Sequence, residues 1–156
     1  MNRRSLLAAF ASFSAAPVLA EHGWEAYDML RPLYLEGEVT TIIWADPHAH
    51  LELLHRPSSS GVPPHIRQLS VPKQKENVDV KTLLQKAVSP AEGNEHWRVE
   101  LPSLARLSKW NVPRPKIQQV IGVIGYLGPQ LKGTPTIQIE ILFIDGNPYP
   151  MRSDPA

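Results

Sequence analysis

Proline is the feature of this sequence that most limits its fold. The chain has 16 prolines in 156 residues, and they are spread along its length rather than gathered in one tract. Each proline lacks the N–H that a helix interior needs, and its ring clashes with the preceding turn. We therefore predict a mainly β chain of strands and turns, with one or two short helices.

The clearest strand signal lies at residues 33–45, "LYLEGEVTTIIWA", where β-branched and aromatic residues alternate with others. It predicts a long first strand that is bent or bulged near Gly37. Asp46-Pro47 follows as a turn, because proline presets the turn dihedral and aspartate can bond back to nearby backbone. "HAHLELLH", residues 48–55, then predicts the returning strand of a hairpin.

The rest of the chain repeats this pattern of short strands and punctuating turns. The remaining predicted strands are residues 95–101, 117–127 and 136–144, with a tail strand after a Gly146-Asn147 turn. Helical spacing predicts a short helix at residues 80–88, and Ser103 is the expected N-cap of a second at residues 103–110. Five or six antiparallel strands with such helices favour a small closed or nearly closed β-barrel.

Residues 1–20 have the pattern of an export signal, with Arg3 and Arg4 before a short apolar run and a small-residue exit at Ala20. We expect a periplasmic or secreted protein, and we favour the general secretory route over the twin-arginine route. Residues 21–156 are predicted to form one domain, interrupted by a loop-rich, proline- and serine-rich excursion at about residues 56–94.

Charge and composition exclude several classes of partner and cofactor. Without Arg3 and Arg4, 14 of the 16 lysines and arginines remain against 15 acidic residues, so nucleic acid is not an expected partner. The chain has no cysteine, which excludes disulfides and thiolate metal ligands. No stretch is long and apolar enough to predict a transmembrane anchor.

Several segments together resemble one family of small exported bacterial proteins. They are "HGWEAYD", "PLYLEGEVTTIIWADPHAHLEL", "WRVEL" followed by "SLARLSKW", "IGVIGY" and "LFIDGNPY". The chain thereby resembles domain-of-unknown-function family 6152. That resemblance implies an oligonucleotide/oligosaccharide-binding-like (OB-like) barrel, export and no established activity. The family pattern has a histidine-rich mature start and a Trp-x-Asn-Pro-His turn. The matching positions here are His22, preceded by Glu21, and Trp44 to His48, with Asp46 in place of asparagine.

Two imidazole sources suggest a metal site of the copper or zinc class. His48, His50 and Glu52 alternate along one strand, so their side chains would share a face, as they also would on any half-solvated strand. A free α-amine at Glu21, with the amide and ring nitrogens of His22, would offer the flat nitrogen set that Cu(II) prefers. We predict a site joining His22 to His48, with His50 as a third ligand and Cu(II) or Zn(II) as the ion.

Trp24, Trp44 and Glu52 could form a ligand-binding face beside these histidines. The leading hypothesis is an exported, non-enzymatic binding or accessory protein that holds a divalent metal. Its rival is an interaction module without metal, which uses the barrel face or the excursion to hold a periplasmic protein or a glycan. A weaker third hypothesis is a hydrolase that uses two barrel carboxylates as acid and base. The pattern instead predicts that these carboxylates are solvated strand residues. They are Asp28, Glu36, Glu38, Glu100 and Glu140.

Overall fold

The computed structural model describes residues 26–57, 61–90 and 95–156, so the predicted export signal lies outside it. This part of the chain forms six strands and three short helices. The strands are β1 (Pro32–Ile43), β2 (His50–His55), β3 (His96–Glu100), β4 (Val120–Leu131), β5 (Thr134–Ile144) and β6 (Asn147–Pro150). The helices are α1 (Pro64–Arg67), α2 (Val80–Lys86) and α3 (Leu104–Lys109).

The six strands belong to one sheet in the order β3-β2-β1-β4-β5-β6, and an additional pairing of β3 with β5 closes it. That pairing is the only parallel one among the described strands, and it sets Arg98 to Glu100 beside Thr136 to Gln138. The result is a closed barrel of five strands, with β6 as an extra strand outside the ring. This ring order, with α3 between β3 and β4, confirms the prediction of a small OB-like barrel.

The barrel interior is filled by the inward-facing residues of every strand in the ring. Leu35, Leu51 and Val99 are completely buried there. Leu107 of α3 adds to the same core, because the helix covers one end of the barrel. Alternating inward positions along β2 leave His50 and Glu52 on the outer face, as their spacing predicted.

A second core lies on the outside of the barrel, under the excursion. Tyr34 is 1% exposed although it alternates with the inward-facing Leu35, because the excursion covers this outer face. The cluster joins barrel residues Tyr34, Ile124, Ile141 and Phe143 to excursion residues Val62, Ile66, Leu83, Leu84 and Ala87. The apolar side of the excursion is therefore used in packing against the barrel.

The two predicted helices form, and each begins at a side-chain cap. Ser103 accepts a hydrogen bond from the Arg106 amide at α3, as predicted. Asp79, which was not predicted as a cap, accepts one from the Thr82 amide at α2. Sequence reasoning missed α1, a single turn that starts at Pro64. Proline suits this first helical position because its missing N–H would have had no partner there.

Both hairpins of the last third turn on two residues with positive φ. These are Lys132 (φ 50°) with Gly133 (φ 84°), and Asp145 (φ 50°) with Gly146 (φ 77°). Such pairs form the turn type whose twist matches that of the flanking strands. The predicted Gly146-Asn147 turn was therefore wrong by one residue, since Asn147 already pairs in β6.

The ends of β4 and β5 also differ from the prediction. Residues 128–135 were expected to be a connection, yet the strands continue to Leu131 and restart at Thr134. At its other end β4 begins at Val120 rather than residue 117, because Gln118 has a left-handed φ of 69° and cannot continue an extended strand.

Two strand glycines lie where another backbone segment approaches closely. A Cβ at Gly125 would overlap the Gln138 carbonyl oxygen, and the β4–β5 register shifts at this point. A Cβ at Gly37 would lie 2.6 Å from the Leu54 carbonyl oxygen. The bulge predicted near Gly37 lies a little further along β1, between Val39 and Thr41.

A buried ion pair ties the segment after β6 to the barrel. Glu140 is completely buried, so its prediction as a solvated carboxylate was wrong. Its Oε1 accepts hydrogen bonds from the Nε (2.8 Å) and a second guanidinium nitrogen of Arg152. Burial raises the pKa of Glu140, and the contact with Arg152 opposes that rise. At the β4–β5 register shift Gly125 pairs with Ile139 and Ile124 pairs with Ile141, so the register passes over Glu140 between them.

Candidate functional site

A cleft of about 590 Å³ opens on one side of the barrel, within the usual size range of small-ligand sites. One wall is the β1–β2 loop, through Pro47 and His48, and the opposite wall is the end of the β4 hairpin, through Pro129 and Leu131. The β1–β2 and β4–β5 loops and the neighbouring strand face are where OB-type barrels bind their ligands. The cleft therefore lies where this fold places a binding surface.

The floor of the cleft comes from β3 and β5, which meet at the barrel closure. Arg98 and Glu100 form an ion pair, with Nε and Oε1 2.6 Å apart and both side chains about four-fifths buried. Thr136 and Gln138 stand opposite them on β5, and the Thr136 hydroxyl donates to the Pro129 carbonyl at 2.7 Å. The floor thus has charges that balance each other and polar groups beside them.

Helix α3 supplies the third side and is bonded to the β1–β2 loop. Asp46 Oδ1 accepts a hydrogen bond from the Leu104 amide at 2.9 Å, so this aspartate bonds to α3 and not back to its own turn as predicted. Arg106 lines the cleft while its guanidinium donates to the Arg152 carbonyl at 2.8 Å. These contacts fix the position of the loop wall relative to the helix.

Tyr27 brings an aromatic ring to the cleft from the segment before β1. The ring lies directly over Gly128, where any Cβ would overlap it. Burial, and next the negative charge of Glu100, raise the pKa of the Tyr27 phenol. The phenol therefore stays neutral at physiological pH and can both donate and accept a hydrogen bond.

The predicted site residues of the β1–β2 loop and β2 lie in two different places. His48 is exposed and lines the cleft. His50 and Glu52 lie on the outer face of β2, opposite Glu100 and Arg98 respectively. His50 Nδ1 is 3.3 Å from the His48 carbonyl oxygen, and Glu52 accepts a hydrogen bond from the Thr41 hydroxyl at 2.9 Å.

The predicted tryptophans and the N-terminal histidine have different outcomes. Trp44 is half-buried and packs against the barrel core, so the described contacts give it a packing role. His22 and Trp24 lie outside the described residues. Within residues 26–57, 61–90 and 95–156, no group of three or more histidines and carboxylates is placed to hold a metal ion. The predicted copper site therefore depends on His22.

Sequence reasoning did not single out Arg98, Arg106, Thr136 or Gln138 as cleft residues. Arg98, Thr136 and Gln138 meet through the parallel β3–β5 pairing, which joins segments nearly forty residues apart, and Arg106 reaches the cleft from α3. Alternation in "EHWRVEL" did place Arg98 and Glu100 on one face. No local pattern could indicate which strand would lie beside that face.

Among the described residues, no helix has the length and apolar character needed to span a membrane. Neither the curated proteins nor the solved structures include a match to this chain. One protein-family model does match, over residues 9–63, which contain the "HGWEAYD" and "PLYLEGEVTTIIWADPHAHLEL" segments. That model describes a family of unknown function, DUF6152, and it confirms the predicted resemblance over this part of the chain.

Proposed function

We propose that the protein is an exported, non-enzymatic binding protein whose ligand occupies the cleft between the β1–β2 loop and the β4 hairpin. The observation that carries the proposal is the combination of a preformed cleft with a floor of paired charges. Among the described residues that line the cleft, Glu100 is the only carboxylate, and it is paired with Arg98. A binding role fits this arrangement better than hydrolysis by two carboxylates, which needs a second acid within reach.

The lining favours an uncharged ligand that carries many hydroxyl or amide groups, with a glycan first. Arg98 is neutralised by Glu100, so the floor itself brings no unbalanced positive charge to the cleft, and the Arg106 guanidinium donates to the Arg152 carbonyl at 2.8 Å. Gln138 contributes a neutral amide, and the Ser103 hydroxyl, whose oxygen caps α3, still has its hydrogen to donate. The Tyr27 ring offers an aromatic surface of the kind on which sugar rings stack.

Binding of neutral oligosaccharides tests this proposal. Cellohexaose, maltohexaose and chitohexaose are titrated into the protein while amide chemical shifts are followed by NMR. We expect shifts that concentrate on β3, β5 and the β1–β2 loop, and at least tenfold weaker binding in Gln138→Ala. Gln68→Ala removes the same side chain from an exposed position in the excursion and should bind as the wild type does. Equal weakening in both variants, or no shifts with any of the three sugars, would contradict a glycan site.

A second candidate is Cu(II) held by the mature N-terminus and His48, because Tyr27 lines the same cleft as His48. His22 is five residues before Tyr27, and five extended residues span at most about 18 Å. The N-terminal amine, amide and imidazole are therefore within chain reach of His48. This candidate rests on cleavage after Ala20, which intact mass of the protein recovered from the periplasm tests directly.

Copper titration separates this candidate from the glycan site. Protein that begins at Glu21 should bind one Cu(II) at the N-terminal chelate, and His48→Ala should weaken binding at least tenfold and shift the visible copper absorption. His65→Ala removes an exposed histidine from α1 and serves as the matched control. If His48→Ala and His65→Ala bind copper alike, His48 is not a ligand.

A further inference from the structure

The segment after β6, residues 151–156, is bonded to the excursion at two successive residues. The Ser153 hydroxyl accepts a hydrogen bond from the Glu76 amide at 2.8 Å. The Lys75 amide donates to the Asp154 carbonyl at 2.9 Å. Ser153 is 7% exposed, so its contact is largely shielded from water. Loosening of this segment would therefore also loosen the excursion.

Helix α3 and the residue after it hold the other side of the same segment. The Trp110 ring nitrogen Nε1 donates to the Ser153 carbonyl at 2.9 Å. Lys109 Nζ forms an ion pair with Asp154 at 2.6 Å. The segment after β6 is thus bonded on one side to α3 and on the other to the excursion, and it links the two.

Arg106 of α3 reaches this segment and the cleft with one side chain. Its Nη1 donates to the Arg152 carbonyl at 2.8 Å and, at the longer distance of 3.5 Å, to the Met151 carbonyl. Both hydrogen bonds of the guanidinium within the described residues start from Nη1, and Nε is buried without a partner there. A guanidinium has five N–H donors in all. The two donors of Nη2 therefore remain for a ligand in the cleft, which Arg106 lines.

We propose that Arg106 couples ligand binding in the cleft to docking of the excursion, with Nη1 holding the segment after β6 and Nη2 donating to a hydroxyl of the ligand. This inference rests on the proposed function, since it needs a ligand in the cleft. The docked segment holds the guanidinium in place, so the ligand loses less affinity to the ordering of this side chain. By linkage, the bound ligand stabilises the docked excursion by the same factor.

Hydrogen exchange of the ligand-free protein tests the link between Arg106 and the excursion. Arg106→Met keeps an apolar stem and removes the donors that hold the segment after β6. We expect amides of residues 61–90 to exchange about tenfold faster, the effect of losing one hydrogen bond from a charged donor. Amides of the β4–β5 hairpin should keep their rates. Arg114→Met removes an exposed arginine beyond the end of α3 and is the matched control.

Equal exchange of the excursion in the two methionine variants would overturn the proposal, whether or not a sugar binds. Circular dichroism and thermal unfolding establish that both variants fold. Arg106→Gln takes the place of Arg106→Met if the latter does not fold, because it also removes the guanidinium.

A thermodynamic cycle tests the coupling itself. Ser153→Ala removes the bond to the Glu76 amide at a residue that does not line the cleft. Its probe is whichever of cellohexaose, maltohexaose and chitohexaose binds the protein. We expect Ser153→Ala to weaken binding about fivefold, the lower end of usual couplings between sites, and to have no effect on binding in the Arg106→Met background. Ser70→Ala removes an exposed hydroxyl from the excursion and should bind as the wild type does.

The outcomes of the cycle separate this inference from the proposed function. A sugar that binds equally well to Ser153→Ala and to the wild type overturns the coupling and leaves the glycan site standing. So does an equal effect of Ser153→Ala with and without Arg106, because a purely structural arginine would leave the two substitutions independent. Absence of binding by all three sugars overturns the glycan site and the coupling together.

Discussion

The buried pair of Glu140 and Arg152 allows a sharp test of how this barrel tolerates charge. The Glu140 side chain is completely buried and that of Arg152 is 20% exposed. Among the described residues, Oε2 of Glu140 has no hydrogen-bond partner, while both Arg152 donors converge on Oε1. Arg152→Met keeps the apolar stem of the side chain and removes the charge that compensates the carboxylate.

The expected loss is large because the carboxylate would stay buried without a counterion. Removing one partner of a buried pair typically costs about 3–5 kcal/mol. Replacing both partners with apolar residues is often neutral or better, so the Glu140→Leu/Arg152→Met double variant should lose less than about 1 kcal/mol relative to the wild type. The Arg106 contact to this segment goes to the backbone carbonyl of Arg152, so both variants retain it.

The stability deficit of Arg152→Met, which is its loss of unfolding free energy relative to the wild type, should depend on pH. The raised pKa of Glu140 sets the direction of that dependence. Burial raises this pKa in the folded state above the ordinary value of 4.5. At pH values between the ordinary pKa and the folded-state pKa, the native state therefore binds more protons than the unfolded state. This carboxyl therefore lowers stability as pH rises through its folded pKa. Loss of Arg152 raises the folded pKa further, so the deficit of Arg152→Met should be smaller near pH 5 than near pH 8.

Urea unfolding followed by tryptophan fluorescence measures both effects, since Trp97 is 3% exposed in the barrel core and reports its loss. Each variant is compared with the wild type at the same pH, which removes the acid sensitivity shared by surface carboxylates such as Asp154. Burial and pairing of Glu140 would be the wrong explanation if the double variant were as unstable as Arg152→Met. An equal loss of unfolding free energy in Arg152→Met at pH 5 and pH 8 would contradict the same explanation.

Three further substitutions probe other features of the fold. Gly125→Ala should lower the free energy of unfolding in urea by about 3 kcal/mol, because its Cβ would overlap the Gln138 carbonyl. Gly133→Ala has open space around its Cβ but a φ of 84°, so it should lower that free energy by about 1 kcal/mol. Equal losses in the two variants would argue against the close approach at Gly125. Leu84→Ala should cost about 2–5 kcal/mol, since the side chain is 4% exposed in the outer core, and a loss below about 1 kcal/mol would mean that the excursion contributes little to stability. Ser103→Ala should cost about 1 kcal/mol through loss of the α3 cap, and a thermal midpoint equal to that of the wild type would contradict the capping role.

The fold was more predictable from the sequence than the site. Strand alternation and proline spacing are local signals, and they predicted a small barrel and the Ser103 cap. Tyr34 and Glu140 could not be predicted as buried, because an ordinary barrel strand leaves these positions in solvent. The burial of Tyr34 depends on where the excursion lies, and Glu140 is paired with Arg152 of the segment after β6. No local period specifies either arrangement.

The site was only partly predictable for the same reason. His48 reaches the cleft as the turn prediction implied, since a hairpin corner places its residues at an edge of the barrel. The residues that form the floor meet it only after β3 and β5 pair. His50 and Glu52 share a face as predicted, but the hydrogen bond of Glu52 to Thr41 uses one carboxylate oxygen within the sheet.

Attachment of the excursion to the segment after β6 has a consequence for the order of folding. The Glu76 amide donates to the Ser153 hydroxyl at 2.8 Å across a separation of 77 residues, and the Lys75 amide donates to the Asp154 carbonyl at 2.9 Å. Contacts so distant in sequence form slowly, because the chain between them must first lose much of its freedom. We expect the excursion to be the last region to dock during refolding, after the β4–β5 hairpin has formed. It should also be the first to exchange its amide hydrogens from the native state.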